Sequence, residues 1–353
     1  MIPINTLPIV AFLAAFLAAL WLHPKMVRVA KLKNIVDNPN KRKLHRKPVP
    51  VLGGLVVFFG MVLGVGITTP CYHSPDTMFL FTMILLVLYI GTMDDILGLT
   101  PRIRFIFEIL VSLAMIYIGG MSISHFHGLW GIGNLTPWVG VPLTVLTVVG
   151  IINAINLIDG VNGLCSGYCI MACTAFGLYF SLLGDTTMTI LAAACIGTLI
   201  LFFYHNVFGH TLRMFMGDGG SLMMGFILSA FVLRVLTTGP TPHTPGLGLV
   251  PFVLAVLAIP VFDTLRVMGM RMLRRRSPFS PDKTHLHHLF IDLGFSHLAT
   301  TLTIIALNII IIAVQISLYY TGQPVDIQFY SVIALGTLFT IGPKLLFRHR
   351  VVS

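Results

Sequence analysis

The chain has 353 residues, of which 56% are hydrophobic and only 10% are charged, and its mean hydropathy is +0.93. Charged residues make up about a quarter of an ordinary soluble domain, so this composition excludes a soluble globular protein. The net charge of +10 would favour nucleic-acid binding only if it were concentrated in an exposed basic domain. We therefore expect no nucleic-acid partner, and we expect membrane lipid as the surroundings.

Hydrophobic segments that could cross a membrane follow one another along the chain. A hydrocarbon core about 30 Å thick requires roughly 20 apolar residues per helix. Eleven segments are candidate spans, beginning near residues 4, 51, 78, 105, 138, 164, 188, 221, 249, 298 and 329. With the N-terminus outside, every Lys and Arg except Arg234 falls in an inner segment, as the positive-inside rule requires. The sequence predicts an all-α polytopic membrane protein, one domain over residues 1–353, with about 11 transmembrane helices and a cytoplasmic C-terminus.

The fifth predicted span ends in a group of polar side chains. Asn153, Asn156 and Asp159 recur every third residue, so they share one face while the helix lasts. Glycines follow and allow the backbone to turn, which is also how an ordinary helix end is built. The pattern indicates a functional site only if other carboxylates reach the same surface.

The third predicted span ends in the adjacent carboxylates of Asp94 and Asp95. Two like charges at the end of a hydrophobic helix repel each other and require a cation or a proton. Neighbours on a helix point about 100° apart, so we expect one carboxylate to face a metal while the other orients a cation or takes a proton. Glu108 is expected to pair with Arg104, because the i,i+4 spacing brings the two side chains together.

The eighth predicted span opens with Gly217-Asp218-Gly219-Gly220-Ser221. A turn of this composition presents free backbone N–H groups beside a carboxylate, which is the geometry that binds a phosphate together with its Mg²⁺. An ordinary N-cap formed by Asp218 or Ser221 is the alternative interpretation.

The longest inner segment, about residues 270 to 297, contains an arginine run and three histidines in four residues. A stop-transfer charge run accounts for Arg274 and its neighbours. His285, His287 and His288 lie too close in sequence to bind one zinc ion easily together with Asp282. Histidine is tunable near neutral pH, so an anion-binding loop is the favoured interpretation.

The carboxylates sort to one side of the predicted topology. Those at inner ends of spans are Asp94, Asp95, Asp159, Asp218 and Asp263. Independent helix caps would not sort this way. A cluster of carboxylates suits Mg²⁺ or Mn²⁺, and the basic and glycine-rich loops beside it indicate a phosphorylated substrate. A secondary transporter with a carboxylate-lined site is the competing class, but it should carry an internal repeat with a site near the midplane, and no repeat is visible.

Five motifs in this order resemble the polyprenyl-phosphate N-acetylhexosamine-1-phosphate transferases (glycosyltransferase family 4), and the WecA and TagO branch more closely than the related MraY branch. They are Pro50 to Gly54, Met93 to Asp95, Asn153 to Gly163, Phe215 to Ser221 and Ser277 to His288. The resemblance implies transfer of a sugar 1-phosphate from a UDP-N-acetylhexosamine, UDP-GlcNAc in the first instance, to undecaprenyl phosphate, with release of UMP. It also implies a bacterial inner-membrane enzyme whose cytoplasmic active site is built by loops around residues 25–50, 94–104, 153–163, 205–221 and 270–297.

The resemblance also implies roles for individual residues. Asp218 and Asp95 would bind Mg²⁺, with Mn²⁺ as an alternative, and Asp94, Asp95 and Asp159 would be catalytic. The implied substrate-binding residues are Asn153, Asn156, Asn162, Arg102, Gly217, Ser221, His285, His287, His288 and Arg274. Asn162 departs from the Asp of many relatives, and Arg102 replaces their usual Lys, which keeps the charge but changes the geometry. A two-step route through a phosphorylated Asp, a homodimer and the pathway that uses the product all stay open.

Overall fold

The computed structural model describes residues 4–37, 48–71, 76–239, 246–277 and 284–346. In these ranges Val36–Asp37 (β1) pairs antiparallel with Val49–Pro50 (β2), with Val36 opposite Pro50. The α-helices there are α1 (Leu7–Leu32), α2 (Gly53–Thr68), α3 (Asp76–Leu97), α4 (Pro101–Tyr117), α5 (Pro137–Leu157), α6 (Leu164–Leu183), α7 (Thr186–Phe208), α8 (Gly217–Thr238), α9 (Leu249–Val256), α10 (Ala258–Leu273), α11 (Leu286–Asp292), α12 (His297–Tyr320) and α13 (Val325–Leu346).

The helices have the lengths and composition of a multi-pass membrane protein, as the sequence predicted. In the described part of the chain, eight helices are long and apolar enough to cross a membrane, and the bent pair α9 and α10 adds a ninth if it counts as one span. The remaining two predicted spans correspond to the shorter helices α2 and α4, of 16 and 17 residues. The all-α class is confirmed, whereas eleven crossings and the orientation of the termini stay predictions.

The chain divides into two compact units, and the first comprises Met1–Met121 and Thr144–Phe231. Its helices α1, α2 and α7 approach each other closely through small residues. A Cβ added to Gly60 would lie 2.9 Å from the carbonyl oxygen of Ala15, and one added to Gly64 would lie 2.6 Å from that of Ala11. Small residues allow such backbone contact between helices in a membrane, where apolar burial alone gives little driving force.

The second unit comprises Ser122–Leu143 and Val232–Ser353. A buried amide network fixes part of it, centred on Gln328 of α13, which is 0% exposed. Its Oε1 accepts hydrogen bonds from Gly248 N (3.1 Å) and Gln315 Nε2 (3.0 Å), while its Nε2 donates to the carbonyl oxygens of Gly246 and Gln323. Satisfied polar networks of this kind specify one packing arrangement in an apolar interior.

Candidate active site

In the first unit, the amino end of α8 lies against the carboxylate of Asp95. The backbone N–H of Asp218 donates to Asp95 Oδ1 (2.9 Å) and that of Gly219 donates to Oδ2 (3.0 Å). A carboxylate here satisfies two otherwise free N–H groups and matches the positive end of the helix dipole. The cap therefore comes from Asp95 of α3. This leaves the Asp218 side chain available for other contacts, and the metal-binding role of Asp95 stays a prediction.

Glycine at position 217 is required by this arrangement. Gly217 has φ +73°, and a Cβ there would lie 2.5 Å from Asp95 Oδ2 and 2.6 Å from the carbonyl oxygen of Val51. Gly54 of α2 meets α8 in a similar way, since its Cβ would lie 2.5 Å from Gly220 N. The glycines let Asp95 and α2 reach the backbone at the start of α8.

The Pro50 to Gly54 motif holds the segment that leads into α8. Phe215 N donates to Pro50 O (2.8 Å), Gly53 N donates to Phe215 O (3.1 Å), and Gly54 N donates to Met216 O (2.9 Å). These backbone bonds fix the chain on the N-terminal side of Asp218. The motif thus has a positioning role that the sequence alone did not indicate.

The Asp218 carboxylate is held on one side and accessible on the other. Its Oδ1 accepts a hydrogen bond from Asn156 Nδ2 (2.7 Å), which also lies 2.9 Å from Ser221 Oγ. Its Oδ2 lies 3.9 Å from an Arg104 guanidinium nitrogen, and the side chain is 37% exposed. Asn156 from one sequence motif and Asp218 and Ser221 from another are therefore brought together.

Arg104 links Asp94 to a second acidic residue. Its NH1 lies 3.1 Å from Asp94 Oδ2, and Asp94 Oδ1 accepts a hydrogen bond from Leu99 N (2.7 Å). Its Nε lies 3.8 Å from Glu108 Oε1, which confirms the predicted pairing. Asn153 Nδ2 donates to Glu108 Oε2 (2.5 Å). Asn153 therefore contacts the buried Glu108, and its amide supports the arginine rather than Asp218.

Asp159 follows the end of α5 and belongs to the same group of carboxylates. The backbone of Gly217 lies close enough to its carboxyl to favour the charged form. Burial raises the pKa of Asp159 well above its usual value, and the nearby negative charges of Asp218 and Asp95 raise the pKa further. This carboxyl therefore holds a proton more readily than an exposed aspartate does.

Asn206, which sequence reasoning missed, fixes the turn after Asp159. It is 4% exposed; its Oδ1 accepts from Gly163 N (2.6 Å) and its Nδ2 donates to Met214 O (2.8 Å). Gly163 has φ +80°, which favours glycine in this turn. Asn206 thus links the turn of Asp159 to the segment before Asp218. A buried amide near the end of a hydrophobic helix was the only available signal.

The carboxylates of this group outnumber the cations that compensate them. Arg104 is the one basic side chain that forms ion pairs with Asp94, Asp218 and Glu108 within the described ranges. No set of three or more His, Cys, Asp or Glu side chains there forms a ready-made metal site. Mg²⁺ commonly uses only one or two carboxylates together with water and substrate phosphates. The donor set therefore fits Mg²⁺ shared with a phosphate ligand, and it does not fit a fully protein-ligated zinc ion.

The second unit contains a separate polar cluster centred on Asp263 of α10, which is 3% exposed. Asp263 Oδ2 lies 2.8 Å from His285 Nδ1, and Oδ1 lies 2.6 Å from Arg266 NH2. The backbone N–H of Leu286 donates to both oxygens, at 3.1 and 3.2 Å. Arg266 NH2 also donates to Thr284 O (2.7 Å). Asp263 thus fixes the start of α11 and the side chains of one histidine and one arginine.

Three nitrogens of this second cluster are buried and have no hydrogen-bond partner among the described residues: His285 Nε2, Arg266 Nε and Arg266 NH1. The Arg266 side chain is only 7% exposed. Buried polar groups are nearly always paired, because an unpaired one costs about 1–3 kcal/mol and more if it is charged. The guanidinium N–H groups of Arg266 are therefore donors that no described residue satisfies, and His285 Nε2 is a further ring nitrogen in the same situation.

The three predicted histidines have different surroundings. His287 is buried, stacks on His285 with ring centroids 5.7 Å apart, and lies 4.3 Å from the ring of half-buried His288. Burial lowers the pKa of His287 to about 3, with smaller contributions from its histidine neighbours. His287 is therefore neutral and packs against its histidine neighbours, and its substrate-binding role stays a prediction. His285 has a buried ring nitrogen without a partner among the described residues.

Comparison with known proteins shows the family to which this chain belongs. The sequence model described as Glycosyl transferase family 4 matches residues 77–236. The probable undecaprenyl-phosphate N-acetylglucosaminyl 1-phosphate transferase of Bacillus subtilis (strain 168) is 33% identical over 310 residues, which are 86% of this chain and 82% of that protein. The chain belongs to glycosyl transferase family 4.

Other members of glycosyl transferase family 4 give the same result. The undecaprenyl-phosphate alpha-N-acetylglucosaminyl 1-phosphate transferase of Escherichia coli (strain K12) is 30% identical over 275 residues, covering 76% of this chain and 72% of that protein. The protein of that name from Yersinia pestis is 31% identical over 274 residues, covering 76% and 73%. The family predicted from the five motifs is confirmed.

Three predicted substrate-binding residues of this glycosyl transferase family 4 member lie apart from the contacts described above. Arg102 and Arg274 are exposed, and neither side chain forms a hydrogen bond or ion pair within the described ranges. Asn162 lies half-buried in the turn after Asp159. Their roles stay predictions. Arg266 is the arginine that sequence reasoning missed, although its i,i+3 spacing from Asp263 on a helix was a usable signal.

Some predicted features lie outside the described residues. The inner loop around residues 25–50 is described only to residue 37 and from residue 48, and the Ser277 to His288 motif lacks residues 278–283, including Asp282.

Proposed function

We propose that this chain transfers N-acetylglucosamine 1-phosphate from UDP-N-acetylglucosamine to undecaprenyl phosphate, and releases UMP, at the cytoplasmic face of a bacterial inner membrane. The names of its relatives support the sugar phosphate and the lipid acceptor. The observation that carries the proposal is the group of carboxylates around Asp218, which only Arg104 compensates among the described residues. An excess of carboxylates suits a divalent cation that is shared with phosphorylated substrates.

Mg²⁺ fits the first unit as an ion that neutralises phosphate oxygens of a substrate. Asp218 is the residue that would hold it, because its carboxylate is accessible. When bound, the ion would withdraw electron density from the phosphate oxygens and stabilise the negative charge of the transition state. Mn²⁺, which also takes oxygen ligands, is the expected substitute.

The reaction exchanges one phosphoryl bond for another. An oxygen of the lipid phosphate attacks the β-phosphorus of the donor, and the bond from that phosphorus to the bridging oxygen breaks, so UMP leaves with the bonding electrons. A monoprotonated lipid phosphate must lose its proton. Asp159 is the group we assign to accept it, because burial and neighbouring charges raise its pKa. Asp94 and Asp95 act in positioning, since each uses both carboxylate oxygens to hold Leu99, Arg104 or the start of α8.

The cluster in the second unit supplies the donor-binding nitrogens in this proposal. Arg266 has two buried nitrogens without partners and a fixed charge, which suits a phosphate or diphosphate oxygen. His285 carries its proton on Nδ1 when it donates to Asp263, so protonation of Nε2 would add a second donor. Two charge-assisted hydrogen bonds of this type contribute about 1.5–3 kcal/mol each.

The test uses the purified protein with UDP-GlcNAc, undecaprenyl phosphate and Mg²⁺. We expect UMP to appear together with undecaprenyl-diphosphate-linked GlcNAc, and we expect neither without the lipid. Asp218→Asn, inserted and purified in the same way, is the inactive control. Release of UDP would indicate ordinary glycosyl transfer. Uptake of labelled donor into proteoliposomes without any lipid product would favour the transporter interpretation.

A further inference from the structure

The membrane span that carries Asp263 is broken between one and two turns before that residue. Helix α9 ends at Val256, α10 begins at Ala258, and the axes differ by 77°. Pro260 has no N–H and cannot donate to the carbonyl oxygen of Val256 in the i to i−4 pattern. The ordinary pattern resumes with Val261 N and Leu257 O, 3.2 Å apart. The break therefore leaves backbone groups that need partners from another element.

Asn308 of α12 supplies those partners. Its Oδ1 accepts a hydrogen bond from Ile259 N (3.0 Å), and its Nδ2 donates to Val256 O (3.1 Å) and Ala255 O (3.2 Å). The side chain is 0% exposed. A side chain that enters the helical hydrogen-bond pattern is one of the recognised causes of a sharp bend. In an apolar interior these backbone groups have no water to bind, so the Asn308 amide replaces helical hydrogen bonds that the break removes.

The bend determines where α10 presents its polar side chains. Ile259 lies one turn before Asp263 and on the same face of α10. Asp263 in turn holds His285, Arg266 and the first N–H of α11. We propose that Asn308 is a positioning residue for donor binding: by fixing the break, it places Asp263 and thereby the nitrogens of His285 and Arg266. This rests on the proposed function, in which those nitrogens bind the sugar nucleotide.

A purely stabilising role for Asn308 is the alternative, and the chain offers a matched control. Gln315 lies on α12 one heptad after Asn308, is also 0% exposed, and donates to Gln328 rather than to the break. Removing either amide leaves polar groups unpaired in an apolar interior, so Asn308→Leu and Gln315→Leu should both lower the melting temperature. Only Asn308→Leu should also displace the nitrogens of His285 and Arg266.

The experiment measures UMP release as a function of each substrate for wild type, Asn308→Leu and Gln315→Leu. Asn308→Leu should raise the KM for UDP-GlcNAc by about 10-fold, the equivalent of roughly one lost hydrogen bond to a charged group, and leave the KM for undecaprenyl phosphate within about twofold. Gln315→Leu should leave both constants within about twofold. Equal donor KM values in the two variants would overturn the positioning role.

A second variant separates stability from position and covers poor folding of Asn308→Leu. Pro260→Ala restores an N–H that can bond Val256 O directly and so favours a straighter span. Added to Asn308→Leu, it should recover melting temperature while the donor KM stays raised. If the melting temperature and the KM for UDP-GlcNAc both return to wild-type values, Asn308 serves only as a hydrogen-bond donor to a carbonyl group. If the wild-type protein neither binds UDP-GlcNAc nor releases UMP, the proposed function itself is refuted. If Asn308→Leu has the same KM for UDP-GlcNAc as the wild type, only the positioning role of Asn308 is refuted.

Discussion

Aspartate stands at the centre of both polar clusters, and its charge is balanced in opposite ways. In the first unit the aspartates are Asp94, Asp95, Asp159 and Asp218, and among the described residues Arg104 forms ion pairs with Asp94 and Asp218. In the second unit Asp263 alone accepts from Arg266, His285 and a backbone N–H. The first cluster has more carboxylates than cations to pair with them, and the second has nitrogens without a hydrogen-bond partner among the described residues.

The comparison indicates what each cluster can bind. Carboxylates in excess favour a cation or a proton, whereas unpaired guanidinium and imidazole nitrogens favour an anion. In the proposed function, a metal meets the first need and a sugar nucleotide diphosphate meets the second. We therefore expect substitutions in the first cluster to change metal dependence, and substitutions in the second to change donor affinity.

The largest effect is expected at Asp218. Asp218→Asn keeps the size of the side chain but removes the accessible carboxylate charge. We expect kcat to fall by about 1000-fold or more, the equivalent of roughly 4 kcal/mol of transition-state stabilisation. Steady-state kinetics over a range of Mg²⁺ concentrations measure this, with membrane insertion as the control. Near-normal turnover that retains its Mg²⁺ dependence would remove Asp218 from the metal site.

The second effect distinguishes the buried arginine from an exposed one. Arg266→Gln should raise the KM for UDP-GlcNAc by about 10- to 100-fold, because one or two charge-assisted hydrogen bonds are lost. Arg274→Gln is the matched control, since that side chain is exposed and forms no ion pair within the described ranges. If Arg274→Gln raises the KM for UDP-GlcNAc more than Arg266→Gln does, Arg274 is the substrate-binding arginine, as the sequence predicted. That result would contradict the role given to the buried Arg266.

A smaller effect tests whether the start of α8 must be glycine for reasons beyond backbone angle. Gly217 and Gly98 have φ +73° and +66°, but a Cβ meets Asp95 only at Gly217 and meets nothing within 4 Å at Gly98. Gly98→Ala should lose only about 1–2 kcal/mol of stability. Gly217→Ala should lose more and also reduce kcat by about 10-fold, because Asp95 must move. Matching losses of stability and activity in the two variants would mean that Asp95 does not need this close contact.

The smallest effect is expected at Asn162. Asn162→Asp should keep activity within about threefold, because an acidic residue occupies this place in many relatives of the resembled family and the turn accepts either side chain. Asn162→Leu should cost more if the site uses the amide, because leucine cannot form its hydrogen bonds. Comparing the two rates at saturating substrate decides between a binding role and a turn that only needs a small residue.

Much of this arrangement was readable from the sequence, for identifiable reasons. Hydrophobic length located the helices, and the sorting of carboxylates by topology brought Asp94, Asp159 and Asp218 into one group. Sequence could not assign the cap of α8 to Asp95, because the contact joins positions more than 120 residues apart. It also missed Asn206 and Asn308, since an isolated amide in an apolar helix gives no periodic signal and its partners are backbone atoms of distant segments.

The division of binding between the two clusters is tested most directly by one crossed set of initial rates. UMP release is measured against Mg²⁺ at saturating UDP-GlcNAc, and against UDP-GlcNAc at saturating Mg²⁺, for wild type, Asp218→Glu and Arg266→Lys. We predict that Asp218→Glu raises the half-saturating Mg²⁺ concentration by about 10-fold while the donor KM changes little, and that Arg266→Lys does the reverse. Two variants that shift both curves by the same factor would contradict the account.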